Sequence, residues 1–144
     1  MKFSKIKLQM VQEKKFNYNS KTISSATDIV KYINKFEELE KATEETILLI
    51  CLNVKNQVVA YTELAKGGIN YCNLDMKTIF KNILLCNASK FIMVHNHPTG
   101  IAKASQSDIN ITRKIKEMSN LMEIDFLDHI IVADDDYISC MIRN

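Results

Sequence analysis

The chain has 144 residues, of which 47% are apolar and 25% are charged, with three glycines and one proline. This composition fits one compact domain covering residues 1–144 and excludes disordered, collagen-like and coiled-coil proteins. The formal net charge of +2 is too small for the whole domain to bind nucleic acid electrostatically, so any basic surface must be local. The best candidate is the start of the chain, where Glu13 is accompanied by Lys2, Lys5, Lys7, Lys14, Lys15 and Lys21.

Signals for membrane insertion, secretion and disulfide formation are weak. No run approaches the roughly 18 apolar residues that a membrane helix needs, and residues 1–10 alternate lysine with apolar side chains instead of forming a signal-peptide core. We therefore expect a cytoplasmic protein with no membrane contact. The cysteines form no Cys-x-x-Cys pair, so we expect neither disulfides nor a cysteine-based zinc site. They are Cys51, Cys72, Cys86 and Cys140.

The first half of the chain predicts a strand, a helix and a hairpin. Residues 5–11 alternate polar and apolar side chains, which predicts an edge strand within an N-terminal segment, residues 1–22. Two serines precede apolar residues at helical spacing between positions 29 and 36, as in a serine-capped amphipathic helix. The apolar run 46–54 and the segment 58–64 flank a short turn, which predicts a β-hairpin.

The second half of the chain alternates helical and strand patterns. The predicted helices cover residues 75–86 and 105–118, and the predicted strands cover residues 91–94, 126–132 and 137–142. The complete order is then β, α, β, β, α, β, α, β, β. This order predicts an α/β sandwich with a mixed sheet.

Two of the three histidines, His95 and His97, are two residues apart at the end of the most apolar predicted strand. Residues i and i+2 of a strand point to the same face, so both imidazoles can reach one ion, and Pro98 favours an extended backbone at His97. Neutral imidazole suits Zn²⁺, and a catalytic zinc site uses three protein ligands and an open position for water. Two histidines at a strand end can also anchor a loop, so the prediction of a metal site requires a third ligand nearby.

Asp108 is the strongest candidate for the third ligand. It follows Ser105 by three residues, where a predicted helix begins directly after the histidine loop, and its carboxylate would lie over the strand end. A serine followed three residues later by an acidic residue is also a helix-capping pattern, so the sequence is consistent with both roles. The two ambiguous signals support each other, and we predict a metal site formed by His95, His97 and Asp108.

The motif resembles that of a known family. The order His-x-His, seven residues, Ser, two residues, Asp that ends at Asp108 matches the metal motif of the JAMM (JAB/MPN) metallopeptidases. The segments His-Asn-His-Pro-Thr-Gly at 95–100 and Asp-His-Ile-Ile-Val at 128–132 are similar, more narrowly, to the RadC group of that superfamily. The likeness extends over residues 24–143. It implies a three-layer sandwich like that of cytidine deaminase, with a mixed β-sheet flanked by helices.

The resemblance also implies a zinc-dependent metallopeptidase or isopeptidase. In the family, a glutamate on an upstream strand acts as general base, and the segment before Gly67 and Gly68 nominates Glu63 for this role. Ser105 would stabilise the oxyanion together with zinc. Without the resemblance, Glu63 would be interpreted as a surface residue of a strand. The third histidine, His129, is expected to hold a strand entry by hydrogen bonds, with a role behind the metal ligands as the alternative.

Several features depart from the RadC pattern. The group usually carries an upstream helix-hairpin-helix DNA-binding region, whereas only residues 1–22 precede the first predicted helix, so we expect a single domain without that region. Residues 74–77 lack the arginine that the family places before its second helix, and Thr99 stands where the family has serine. These changes affect contacts near the site and leave the metal residues intact.

We expect a peptide or protein as the substrate, and the sequence carries no signal for an oligomeric state. The lysine-rich start and the RadC resemblance leave a DNA-associated accessory protein with a structural metal as the main alternative, which predicts salt-sensitive DNA affinity. A non-catalytic interaction module with the same fold is a second alternative. The full set of metal ligands argues against that module.

Overall fold

The computed structural model describes residues 1–16, 22–68 and 74–141, so Lys21, Cys72 and the last residue of the predicted final strand, Ile142, lie outside the described residues. The helices are α1 (Ala26–Phe36), α2 (Met76–Leu85) and α3 (Gln106–Leu121), and a single 3-10 turn covers Leu39–Lys41. The strands are β1 (Thr46–Leu52), β2 (Val58–Lys66), β3 (Lys90–Asn96), β4 (Asp125–Ala133) and β5 (Asp136–Ser139). None of the described helices is long and apolar enough to cross a membrane.

Five strands of the described chain form one mixed sheet in the order β2-β1-β3-β4-β5. Strands β3 and β4 are parallel, and the other neighbouring pairs are antiparallel. The central strands β1 and β3 are buried along almost their whole length because helices cover both faces of the sheet. One apolar cluster packs α1 against one face, and a second packs α2 and α3 against the other. This three-layer α/β sandwich confirms the predicted fold class.

Side chains in the central strands alternate between the two layers. In β1, Leu48 packs in the α1 layer and Ile47 packs in the layer of α2 and α3. In β3, Val94 packs with α1 and Met93 packs with α2 and α3. Because the period of a strand is two residues, His95 shares the face of Met93, and it pairs with Ile47 across the sheet. The α2 and α3 face is therefore the one on which the predicted metal site must lie.

Each α-helix begins at a polar N-cap, in agreement with the sequence pattern. Ser25 caps α1, Asp75 caps α2 and Ser105 caps α3. In α1 and α3 the acidic residue three positions later also accepts a hydrogen bond from the N-cap backbone, which completes a capping box. The cap at Ser105 places Asp108 in the first turn of α3, next to the end of β3.

The N-terminal segment does not form the predicted strand. Residues 1–16 contain neither helix nor strand, and residues 1–15 are exposed. The segment contacts the domain through Phe16, whose ring centroid lies 4.8 Å from that of Phe36 and 5.7 Å from that of Tyr61. Alternating side chains do not suffice for a strand because its backbone N–H and C=O groups need a neighbouring strand, and this segment pairs with none in the sheet.

Candidate metal centre

His95 and His97 bring their imidazole rings together at the carboxyl end of β3. Their Nε2 atoms are 2.9 Å apart. The side chain of His95 is fully buried, whereas 17% of the His97 side chain is exposed. One ring is therefore anchored in the core and the other lies at an opening to solvent.

Asp108 lies in the first turn of α3 and faces both histidines. Its Oδ1 is 3.3 Å from Nε2 of His95, and its Oδ2 is 3.5 Å from Nε2 of His97. The same Oδ2 accepts a hydrogen bond from the backbone N–H of Ser105 at 2.7 Å, while Ser105 Oγ accepts one from the backbone N–H of Asp108 at 3.1 Å. Capping and metal ligation are thus compatible, since the capping box holds the carboxylate against the histidines. Ser105 is exposed, and its hydroxyl keeps its own hydrogen for donation.

The three side chains form a donor set that fits a metal ion. Nδ1 of His97 lies 3.1 Å from the carbonyl oxygen of Ile101, which can only accept, so Nδ1 carries the proton and Nε2 carries a lone pair. This lone pair faces a carboxylate oxygen and a second imidazole nitrogen, an arrangement that a cation would stabilise. Tetrahedral zinc with bonds of about 2.0–2.2 Å places neighbouring ligand atoms about 3.3–3.6 Å apart. The distances from Nε2 of His95 to Oδ1 of Asp108 and from Nε2 of His97 to Oδ2 of Asp108, 3.3 and 3.5 Å, lie near this spacing, while the two Nε2 atoms are closer, at 2.9 Å.

Glu45 is a fourth polar side chain at this place, and it is not among the site residues predicted from the sequence. A carboxylate oxygen of Glu45 and one ring nitrogen each of His95 and His97 lie within 4.8 Å of one another. Glu45 is half-buried and immediately precedes β1. Since β1 runs antiparallel to β3, with Ile47 opposite His95, the start of β1 lies beside the end of β3. An acidic residue at the start of a strand was the available signal, but it becomes informative only when the strand pairing is known.

Asn96, which lies between the two histidines in sequence, holds the segment that carries Glu45. Its Oδ1 accepts a hydrogen bond from the backbone N–H of Thr46 at 2.7 Å. Its Nδ2 donates to the carbonyl oxygens of Glu44 and Ala42 at 3.0 and 3.3 Å. Asn96 is 1% exposed; its bond to Thr46 is buried, and its bonds to Ala42 and Glu44 are partly buried. The segment His-Asn-His therefore supplies both candidate ligands and the support for the neighbouring carboxylate.

The structure does not bring Glu63 to the histidines. Glu63 is an exposed residue of the edge strand β2 and lies opposite Leu48. Strand β1 separates β2 from β3, so two strand spacings, about 10 Å in all, lie between Glu63 and β3. Residues paired across a sheet share a face, so Glu63 lies on the α1 side, opposite the face of His95. This placement contradicts the base role suggested for Glu63, because the adjacent carboxylate belongs to the start of β1 instead.

His129 lies directly behind His95 in the core. Its Nε2 is 2.8 Å from Nδ1 of His95, and its Nδ1 is 2.6 Å from Oγ1 of Thr112. Burial is the main cause that lowers the pKa of His129 to about 3; the neighbouring histidines lower it further, and Asp108 opposes them. The ring is therefore neutral at pH 7. Of the two roles considered for His129, contact with a metal-ligand candidate is the one that the structure shows.

The fold and the site together define a class of protein: a three-layer α/β domain with a candidate metal centre at the end of a central strand. A family model described as "RadC-like JAB domain" matches residues 23–144. The chain belongs to this family, which agrees with the resemblance found in its motifs.

Relatives with the family name UPF0758 are similar over most of the chain. The UPF0758 protein of Clostridium perfringens is 38% identical over 117 residues, which cover 81% of this chain and 51% of the relative. The protein of Latilactobacillus sakei is 39% identical over 103 residues, covering 72% and 46% of the two chains. That of Histophilus somni is 37% identical over 102 residues, covering 71% and 46%. The chain thus spans about half the length of these relatives, and their name states no activity.

Proposed function

We propose that the protein is a zinc metallopeptidase or isopeptidase that hydrolyses an amide bond in a peptide or protein. The observation that carries this proposal is the convergence of His95, His97 and Asp108 from two separate elements, with the Glu45 carboxylate beside them. Membership in the RadC-like JAB family supports it, since JAB-domain proteins include metallohydrolases.

The proposed ligands are Nε2 of His95, Nε2 of His97 and a carboxylate oxygen of Asp108. Two imidazoles and one carboxylate are a donor set that zinc uses in catalytic sites. When bound, zinc would supply Lewis acidity and lower the pKa of a coordinated water to about 7. The partial exposure of His97 gives a substrate a direction of approach.

Glu45 is the proposed general base, in place of Glu63. A carboxylate oxygen of Glu45 lies within 4.8 Å of one ring nitrogen of each histidine, close enough to contact a water molecule held among these groups. It would accept a proton from the attacking water at a carboxylate oxygen and return that proton to the leaving amine nitrogen. Ser105 is the proposed oxyanion donor, because its exposed hydroxyl adjoins the Asp108 carboxylate and can donate to the oxygen of the attacked carbonyl.

The matched pair Glu45→Gln and Glu63→Gln tests the assignment of the base. Zinc-loaded wild-type protein is assayed on a panel of fluorogenic peptides and isopeptide-linked substrates. We expect Glu45→Gln to lose at least about 100-fold in turnover with its zinc content unchanged. Glu63→Gln should match the wild type, because its side chain lies on the other face of the sheet. Full activity of Glu45→Gln, or no cleavage of any substrate by zinc-saturated wild type, would contradict the proposal.

Metal analysis tests the ligand set separately from catalysis. We expect about one zinc per chain in the wild type and substoichiometric zinc in His97→Ala, which lacks one of three ligands. A His97→Ala protein that retains its full zinc content would remove the proposed site.

A DNA-associated accessory role is the second candidate function, and the N-terminal segment favours it. Residues 1–15 are exposed and carry five lysines against one glutamate, Glu13. This role predicts duplex binding whose affinity falls steeply with salt and weakens when Lys14 and Lys15 are replaced with alanine. Absence of binding at low salt, or binding that is indifferent to these replacements, would exclude it.

A further inference from the structure

A chain of buried hydrogen bonds runs from helix α3 to the back of His95. Thr112 lies one helical turn after Asp108, and its Oγ1 is 2.6 Å from the carbonyl oxygen of Asp108 and 2.6 Å from Nδ1 of His129. Nε2 of His129 is in turn 2.8 Å from Nδ1 of His95. His95 and His129 are fully buried and Thr112 is 5% exposed, so the described contacts are made within the core.

The direction of these hydrogen bonds follows from the groups that form them. The Thr112 hydroxyl has one hydrogen, and the Asp108 carbonyl oxygen can only accept, so Thr112 donates to that carbonyl. The Thr112 oxygen then faces Nδ1 of His129 with a lone pair, and this nitrogen must carry the proton. A neutral imidazole has one N–H, so Nε2 of His129 is the acceptor.

The tautomer of His95 is fixed by the same chain of hydrogen bonds. Since Nε2 of His129 accepts, Nδ1 of His95 carries a proton and donates it over 2.8 Å. Nε2 of His95 then has its lone pair on the side of His97 and Asp108. We propose that Thr112 and His129 are positioning residues that hold His95 in the one tautomer whose Nε2 can bind the metal. This inference rests on the metal site of the proposed function.

The two histidine ligands differ in how their tautomers are set. His97 depends on a backbone carbonyl of its own loop, that of Ile101, which a substitution does not remove. His95 depends on two side chains from other elements, Thr112 of α3 and His129 of β4. Partners behind a metal-bound imidazole commonly change metal affinity by 10–100-fold when they are removed. The Thr112 hydroxyl also bonds the residue that supplies the carboxylate ligand, so one group supports two ligands.

Thr112→Val and Thr112→Ser form the test pair, because valine keeps the shape of threonine without its hydroxyl and serine keeps the hydroxyl. Zinc affinity of the folded proteins is measured by competition with a chromogenic chelator. We expect Thr112→Val to bind zinc at least about tenfold more weakly and Thr112→Ser to stay within about threefold of the wild type. Ser119→Ala is the control. Ser119 is fully buried in the same helix, and its hydroxyl donates to the carbonyl oxygen of Lys116. The zinc affinity of Ser119→Ala should equal that of the wild type.

Equal zinc affinity of Thr112→Val and wild type would overturn the inference, as would equal weakening in Thr112→Val and Thr112→Ser. A second readout needs no variant. In metal-free wild-type protein, ¹⁵N–¹H correlation spectra should show the proton on Nδ1 in both His95 and His129. A proton on Nε2 of either ring would refute the inference even if Thr112→Val does not fold. Neither measurement requires cleavage of a substrate. A protein that binds zinc but cleaves nothing would exclude the proposed peptidase function, while the zinc affinities and NMR spectra would still decide the positioning role.

Discussion

Replacing Asn96 with alanine removes three hydrogen bonds of a buried side chain beside the candidate site. The amide of Asn96 bonds the backbone N–H of Thr46 and the carbonyl oxygens of Ala42 and Glu44 at 2.7, 3.3 and 3.0 Å. These backbone groups flank Glu45 on both sides. The substitution therefore tests how the fold holds this carboxylate next to the histidines.

The expected cost follows from the burial of Asn96, which is 1% exposed. A net contribution of about 1 kcal/mol for each hydrogen bond gives a loss of about 3 kcal/mol in the free energy of unfolding. For a chain of this length that loss lowers Tm by about 10 °C. Urea unfolding of metal-free protein, followed by circular dichroism, measures the loss directly. In the zinc-loaded protein, displacement of Glu45 should also reduce turnover while zinc remains bound.

Asn53→Ala is the matched control because Asn53 also makes three side-chain hydrogen bonds. Its Oδ1 accepts hydrogen bonds from the backbone N–H groups of Lys55 and Gln57, and its Nδ2 donates one to the Gln57 side chain. All three bonds lie in the turn between β1 and β2. Asn53 is partly exposed, so we expect a smaller loss of about 1 kcal/mol and no change in turnover. An Asn96→Ala protein within 1 kcal/mol of wild type, or no less active than Asn53→Ala, would refute this reasoning.

Two further predictions concern the loop beside the site and the buried histidine. Gly100 has φ +76° and an added Cβ would collide with Oδ2 of Asp134, so Gly100→Ala should lower the free energy of unfolding in urea by about 1–2 kcal/mol. Adding Asp134→Ala should recover only the part due to this contact, and an unchanged stability of Gly100→Ala would contradict the prediction. His129 stays neutral in the fold down to pH about 3 but is protonated in the unfolded chain below pH 6.5. Because only the unfolded chain takes up this proton, the free energy of unfolding of metal-free protein should decrease as pH falls from 6.5 towards 3, by at most about 1.4 kcal/mol per pH unit. Unfolding titrations with NMR of the ring would test this, and a folded-state ring that titrates near pH 6.5 would disprove it.

The histidine pair and Asp108 could be predicted because their signals are local. Strand periodicity places His95 and His97 on one face, and the serine cap places Asp108 at the start of the helix that follows. The structure brings all three side chains to one place. Each inference needed only the conformation of a few neighbouring residues, which the sequence encodes strongly.

The position of the proposed base could not be predicted in this way because it depends on strand order. Glu45 and Glu63 both lie near a strand of the hairpin, but only the start of β1 adjoins the end of β3. The sequence does not state that β1 lies between β2 and β3. The strand predicted for residues 5–11 is wrong for a related reason: the segment has the alternation of a strand but no neighbouring strand to pair with.

Crystals of zinc-loaded protein, measured at the zinc absorption edge, test the central claim most directly. We predict one anomalous peak coordinated by Nε2 of His95, Nε2 of His97 and a carboxylate oxygen of Asp108, with Glu45 outside the coordination shell and a fourth position open to solvent. A peak elsewhere on the chain, or a shell in which the Glu45 carboxylate closes the fourth position, would contradict the account.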